Sequence, residues 1–505
     1  MTTRASLALA GAMTLGAAVL GGAAFAQSTP AQVTPSGAPA TKTSGAVRKP
    51  RAPAPMPPAE AIAQTRTLQD ALATAYSYNP SLQAARAQLR SVDENVPAAL
   101  SGWRPTISVS GSEGAYGGDN RQYVRGLGAQ YSKQDRTAFT GQAVLSQPIY
   151  QGGKTTASIN RAQNQVMSQR AQLMSTEQQL FANVVNAYVT VIQNQQLLSL
   201  NVNNEQVLAK QLEATNQRFR VGEITRTDVA QAEAALANAS ALRQTAEGNL
   251  ATARASYQQY VGEMPGKLLE PQPLKLPTKS IDQARALAAA NNPNVVAALF
   301  NDAAAKDNFD LQYSALMPNV TLQATEGRAD NTIQSNLRQS YSSVVANVTV
   351  PIYQGGAEYA AIRQARQAEQ QARKLIDDAR RTAVQQLVTA WETYVAAKAT
   401  IESTRAEIRS NEIALEGTQR EAIVGSRTTL DVLNAEILLL QSRQQLVQNL
   451  ASFVTASYTV AGAVGRLSAH DLNLNVALYD ETAYFNAVRD RWIGTGDFAT
   501  DQPGR

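Results

Sequence analysis

The sequence predicts an α+β membrane protein built twice along one chain, each copy joining a β-hairpin to very long helices. Three observations predict it. Pro148-Ile149-Tyr150-Gln151-Gly152-Gly153 returns as Pro351-Ile352-Tyr353-Gln354-Gly355-Gly356, 203 residues later. At the same offset Val221-Gly222 and Asp228-Val229 return as Val424-Gly425 and Asp431-Val432, and Val261-Gly262 as Val464-Gly465. Matches in one register mark an internal duplication. The second observation is proline placement: none lies between Pro148 and Pro265, and none between Pro351 and Pro503. An interior proline costs a helix about 3 kcal/mol, so these stretches are where long helices can form. The third is a set of segments about ten residues long that alternate polar and apolar side chains, the period of a strand with one apolar face.

The elements follow in order. Residues 1–26 read as a secretory signal: Arg4, an apolar run from Ala5 to Leu20, then Ala24-Phe25-Ala26 as the cleavage site. Residues 27–64 form a leader; eight of the twenty prolines fall between 27 and 60, and such a segment cannot bury enough apolar surface to order itself. Repeat 1 spans 65–264, with an opening helix at 67–99, a hairpin at 105–148, a long helix at 155–220 and a post-turn helix at 227–262. A linker, 265–279, leads to repeat 2 at 280–466. There the opening helix is 281–315, the hairpin 318–351, the long helix 358–422 and the post-turn helix 430–466. Residues 467–505 are expected to be a loosely packed C-terminal tail.

Each long helix has about 66 residues, or roughly 100 Å at 1.5 Å per residue. Leu387, Tyr394, Ile401, Ile408 and Leu415 recur every seven residues, as do Leu433, Leu440, Val447, Val454 and Ala461. Sustained heptads predict coiled-coil packing. The opening and post-turn helices are each about half as long, so two of them stacked end to end match one long helix.

The strands alternate most cleanly at Thr106–Ser110, 319–325 and 346–350. Their polar faces carry Thr, Ser, Gln and Asn rather than charge, and their length suits a tilted bilayer crossing. The hairpin loops are expected at Gly117–Thr137 and Gly327–Ser340. Trp103, Tyr150 and Tyr353 sit at the strand ends nearest the helices, where aromatic side chains suit a membrane interface; anchoring in a soluble sheet is the other role such residues take. Four strands cannot close a barrel, and open sheet edges cannot sit in hydrocarbon. Strands must be pooled between chains: two chains would give eight, three would give twelve, and symmetry alone does not choose.

Composition excludes much else. There is no cysteine and one histidine, His470, so thiol chemistry, disulfides and an N-terminal acyl anchor are ruled out. The net charge of +5 comes without a basic block, so no nucleic-acid partner is expected. No paired carboxylates or phosphate-binding loop point to an enzyme, and no cofactor or metal is expected. A non-channel periplasmic adaptor, or a coiled-coil surface binding protein, is the alternative reading. An adaptor would carry one helical hairpin flanked by compact β modules rather than two with membrane-length strands.

Asn79-Pro80 and Asn292-Pro293 in the opening helices, the repeated Pro-Ile-Tyr-Gln-Gly-Gly junctions, and the Gly-plus-Asp turns together resemble the TolC-like outer-membrane factors. The likeness covers about residues 65–466. It implies a homotrimer whose twelve-stranded transmembrane barrel, four strands per chain, continues into a long α-helical coiled-coil barrel in the periplasm. It implies a passive exit duct for tripartite efflux or type I secretion in the outer membrane, working with a periplasmic adaptor and an inner-membrane ABC or proton-driven transporter.

The resemblance also assigns residues. Thr227 and Asp228 after Gly222 match a pair that helps hold the tunnel entrance shut. Arg427, after Gly425, matches an arginine that ties neighbouring chains. Asp431 matches the first of two constriction aspartates, while Asn434 stands at the second and Ala422 at a gate tyrosine. These departures imply a weaker electrostatic filter and a rearranged closing network. Elementary chemistry offers both aspartates a plainer role: Thr227 or Asp228, and Thr429 or Asp431, can cap the helix that follows. Pro148, Gly152, Gly153, Pro351, Gly355 and Gly356 form the strand-to-helix junctions.

Overall fold

A computed structural model describes residues 66–496 apart from 277, 279 and 334. The expected signal and the whole of the expected leader lie outside the described residues.

The described residues open with α1 (Leu68–Tyr78), α2 (Pro80–Asp93) and α3 (Asn95–Leu100), so the single opening helix expected at 67–99 is broken. The break is local chemistry. Pro80 cannot donate back into the preceding turn, and Asn79 caps the new helix by accepting from Ser81 N at 2.9 Å. Repeat 2 does the same between α6 (Ile281–Asn291) and α7 (Pro293–Tyr313), with Asn292 accepting from Asn294 N at 3.0 Å.

The sheet is antiparallel in the order β1 (Thr106–Val124), β2 (Gly128–Tyr150), β3 (Asn319–Asp330), β4 (Arg338–Thr349). Strands β1 and β2 run on through the loop expected at 117–137, because Gly126 (φ +92°) and Gly128 (φ +76°) supply a tight turn only three residues wide. The register puts Ile107, Leu145, Ala324 and Val344 in one row across all four strands. The next row on the other face is Thr106, Ser146, Gln323 and Val345, with Ser108, Val144, Thr325 and Ser343 beyond it. The sheet therefore has an apolar face and a mainly polar one. Past the Phe139–Asp330 pair, β1 and β2 continue alone to Val124 and Gly128.

Below the sheet lie α4 (Lys154–Arg220) and α8 (Ala357–Ile423), 67 residues each. After tight turns they lead to α5 (Arg226–Val261) and α9 (Thr429–Ala463). The largest core joins α1, α2, α4 and α5 through Leu72, Leu82, Phe181, Val184, Tyr188 and Tyr257. Leu387 and Ala390 of α8 pack with Val460 and Val464 around the end of α9, where heptad spacing expected a seam. The Tyr188 hydroxyl shares its proton between the carbonyls of Arg66 and Leu269, at 3.0 and 2.7 Å, pinning the linker to the segment that leads into α1.

The described part of the C-terminal tail, residues 467–496, is not loosely packed. Leu467, Ala469 and Leu474 are buried in the largest core. Arg86, 2 % exposed, is stacked between the rings of Tyr76 and Tyr479, with its guanidinium carbon 4.5 and 5.1 Å from their centres. This strap of tail, residues 467–496, passes through α10 (Ala483–Val488), whose Phe485 joins Val96, Ala162 and Val166 in a small cluster. Sequence reading missed this because irregular backbone carries no period, while single apolar residues docked onto helices still bury area.

Candidate functional site

Two groups of residues singled out by the sequence lie at opposite ends of the long helices. At the far ends, α4 and α8 stop at matched turns. Gly222 (φ +79°) and Gly425 (φ +80°) take the left-handed conformation that other residues resist. Glu223 N donates to Arg218 O, and Ser426 N to Glu421 O, both at 3.0 Å, closing the last turn of each helix.

The helix caps are Thr225 and Thr428, not the neighbouring residues expected. Thr225 Oγ1 accepts from Asp228 N at 3.3 Å, and Asp228 Oδ2 accepts from Thr225 N at 2.9 Å. Thr428 and Asp431 repeat this at 3.2 and 2.9 Å. Both aspartates thus stand at the third helical position of a reciprocal capping box, a preference that helix spacing alone could have shown. The hydroxyl and amide of Thr225 hold the Asp228 carboxyl below its usual range, and those of Thr428 do the same for Asp431. Thr227 is exposed in the first turn of α5, and Asn434 is exposed three residues after Asp431.

An ion pair braces each turn, with opposite polarity. In repeat 1 Arg218 of the long helix binds Glu223 of the turn, Nε to Oε1 at 2.9 Å. In repeat 2 Glu421, at the place of Arg218, binds Arg427, Nε to Oε2 at 2.9 Å. Arg427 therefore has a partner inside its own chain. The two helical hairpins meet where Leu433 packs against Leu208 and Ala239. Beside this contact lies Glu436, 8 % exposed, its Oε2 without a hydrogen-bond partner and its carboxyl pushed up by burial. Sequence reasoning passed over it, though a glutamate among Val432, Leu433 and Leu439 was a visible signal.

At the near ends the strands turn into the long helices. The register slips between Pro148 and Tyr150, and Gly152 (φ +61°) and Gly153 (φ +86°) reverse the chain into α4. Gly355 (φ +74°) and Gly356 (φ +88°) do so before α8. The two junctions differ in surroundings. A Cβ on Gly152 would stand 2.2 Å from Met317 Cβ and 3.0 Å from Ser314 O, the turn that leads into β3. A Cβ on Gly355 would meet nothing within 4 Å. Likewise Ile149 and Tyr150 are 54 % and 46 % exposed, whereas Ile352 and Tyr353 are 89 % and 76 %. Trp103, half exposed, closes the 3-10 turn before β1, and Gln147 Nε2 donates to its carbonyl at 2.9 Å. Pro351 lies just past β4 and leads into the Gly355-Gly356 reversal.

Among the described residues no helix is long and apolar enough to cross a membrane, and no cluster of metal-ligating side chains occurs.

The comparisons agree with this architecture. The family model described as outer membrane efflux protein matches residues 68–263 and 284–466. The outer membrane efflux protein BepC of Brucella suis is 35 % identical over 433 residues, 86 % of this chain and 92 % of that protein. The outer membrane protein TolC of Escherichia coli is 24 % identical over 83 % of this chain and 86 % of its own length. The alkaline protease secretion protein AprF of Pseudomonas aeruginosa is 23 % identical over 68 % of this chain and 74 % of its own. Among solved structures, the outer membrane protein VceC of Vibrio cholerae superposes with a TM-score of 0.68 at 19 % identity, over 79 % of this chain and 96 % of that one. With its duplicated strand-to-helix junctions, four-stranded sheet and paired helical turns, the chain belongs to the outer membrane efflux protein family.

Proposed function

We propose that three copies close a twelve-stranded barrel in the outer membrane, continued by a helical tunnel into the periplasm, and that this homotrimer is the passive exit duct of a tripartite efflux or type I secretion machine. The observation that carries it is the empty seat at Gly355. Inside the chain, Gly152 of one repeat packs against the Ser314–Met317 turn before the next hairpin. The corresponding turn of repeat 1 is Ser101–Arg104, which does not reach Gly355 of its own chain, since a Cβ there would meet nothing within 4 Å. A second copy supplies that junction, and its β4 then pairs with the open edge of β1. An apolar sheet face with two free edges needs such closure, since unpaired backbone groups cost several kcal/mol each in lipid. The count of three is what the family resemblance implies.

In this reading Trp103, Tyr150 and Tyr353 lie at the periplasmic membrane interface, and the capped turns form the tunnel tip. The ion pairs there are exposed, and exposed pairs are weak and screened by salt. A tip held this lightly suits opening by an adaptor that prefers the splayed form. The names of the relatives, which cover both efflux and protease secretion, support a duct that an inner-membrane ABC or proton-driven transporter energises; nothing in the duct itself performs catalysis. Planar-bilayer recording tests it. The purified protein is expected to conduct, and Arg427→Glu to raise single-channel conductance. No conductance refutes the duct; unchanged conductance in the variant removes Arg427 from the gate.

A further inference from the structure

The end of the strap carries an apolar pair that the core does not use. Trp492 is 66 % exposed and Ile493 88 %. Specific contacts hold both in place. Arg491 folds back over the segment, Nε donating to Ile493 O at 3.2 Å and Nη1 to Gly496 O at 3.1 Å, while Gly494 at φ +111° closes the loop. Arg104 ties this loop to the sheet: its Nη1 donates to Arg491 O at 2.6 Å, and its guanidinium lies 4.8 Å from the centre of the Trp492 ring. Arg104 stands two residues before the first residue of β1, next to Trp103 and close to the exposed Ile107 and Val109.

We propose that Trp492 and Ile493 form an interfacial anchor that enters the periplasmic phospholipid leaflet beside the barrel. The inference rests on the membrane reading of the Trp103 level given above. Three features favour lipid as the occupant. Tryptophan settles at headgroup depth, where its ring is apolar and its N–H stays wet. Arg104 and Arg491 both contact this loop and bring positive charge to it, which suits lipid phosphates, while Arg489 is paired with Asp490. The pair is also fixed to the root of an outer-membrane sheet, in a chain without a cysteine to carry an acyl anchor. The strap would then link the tail, packed on α2 and α4, to the bilayer itself.

Fluorescence quenching tests this on the assembled full-length protein. One form keeps only Trp492 (Trp103→Phe with Trp391→Phe), and another only Trp103 (Trp391→Phe with Trp492→Phe). Both are reconstituted in phospholipid vesicles brominated near the headgroup. The emission of Trp492 is expected to fall to an extent similar to that of Trp103, with little further loss on adding aqueous iodide. Quenching of Trp103 alone overturns the anchor and leaves the membrane reading standing; the pair then meets water or a neighbouring copy. Quenching of neither residue overturns both. Should Trp391→Phe prevent assembly, Trp391 is kept and the difference between the proteins with and without Trp492→Phe is read instead.

Discussion

At the residue scale, Asp93 shows how a buried charge sets pH dependence. It is fully buried at the end of α2, and neither carboxylate oxygen has a hydrogen-bond partner. Burial pushes its carboxyl up to about 6, against the opposing pull of Arg170 and Arg90 and with help from Glu94 and Glu481. A carboxyl whose folded pKa is raised stabilises the fold only while protonated. Its contribution is complete below about pH 4 and is lost as pH rises through about 6. Asp93→Asn is therefore expected to raise the thermal midpoint by several degrees at pH 8 and to leave it nearly unchanged at pH 4; an equal effect at both would show that Asp93 is not titrating. The caps act more locally. Thr225→Ala or Thr428→Ala removes one capping acceptor, a cost of about 1 kcal/mol. Amide hydrogen exchange should show it as faster exchange confined to the first turn of α5 or α9. Gly222, Asp228, Gly425 and Asp431 were legible because the duplication repeats them in register. Thr225 and Thr428 were overlooked because the resemblance drew attention to Thr227, although a threonine three residues before an aspartate is itself a cap signal. Asp93 and Glu436 carry no motif, and their burial depends on what the rest of the chain lays over them.

At the element scale, long regular pieces were legible and short irregular ones were not. Helices α4 and α8 follow from proline-free stretches bounded by paired glycines, since little else can occupy 67 residues without a breaker. The opening segments broke at Asn-Pro because an asparagine cap and a proline at the first position start a new helix more readily than they extend an old one. The first hairpin outran its expected loop because glycine-rich sequence reads as loop until its cross-strand partners are known. The two junction glycines make the sharpest element-level prediction. Alanine at either position bears roughly 1–2 kcal/mol of left-handed strain. Gly152→Ala adds an overlap with Met317 within the chain and should impair folding before assembly. Gly355→Ala adds none within the chain, so a single protomer should fold with only the strain. If Gly355→Ala nevertheless blocks assembly as strongly as Gly152→Ala, seen as lost oligomer on unheated gels, the next copy occupies that seat; if assembly is normal, the seat is empty.

At the scale of the whole molecule, the proposed closure makes the chain an arc of a ring. Strands β2 and β3 join repeat 1 to repeat 2, while β1 and β4 leave their outer edges unpaired among the described residues. Local sequence could state that edges existed but not how many chains close them, because each junction senses only its immediate neighbour. The central claim is that closure takes three. Light scattering of the detergent-solubilised protein, corrected for bound detergent, measures it directly. A particle with the protein mass of three chains is expected. A stable particle of one chain or two, still able to conduct in a bilayer, would contradict it.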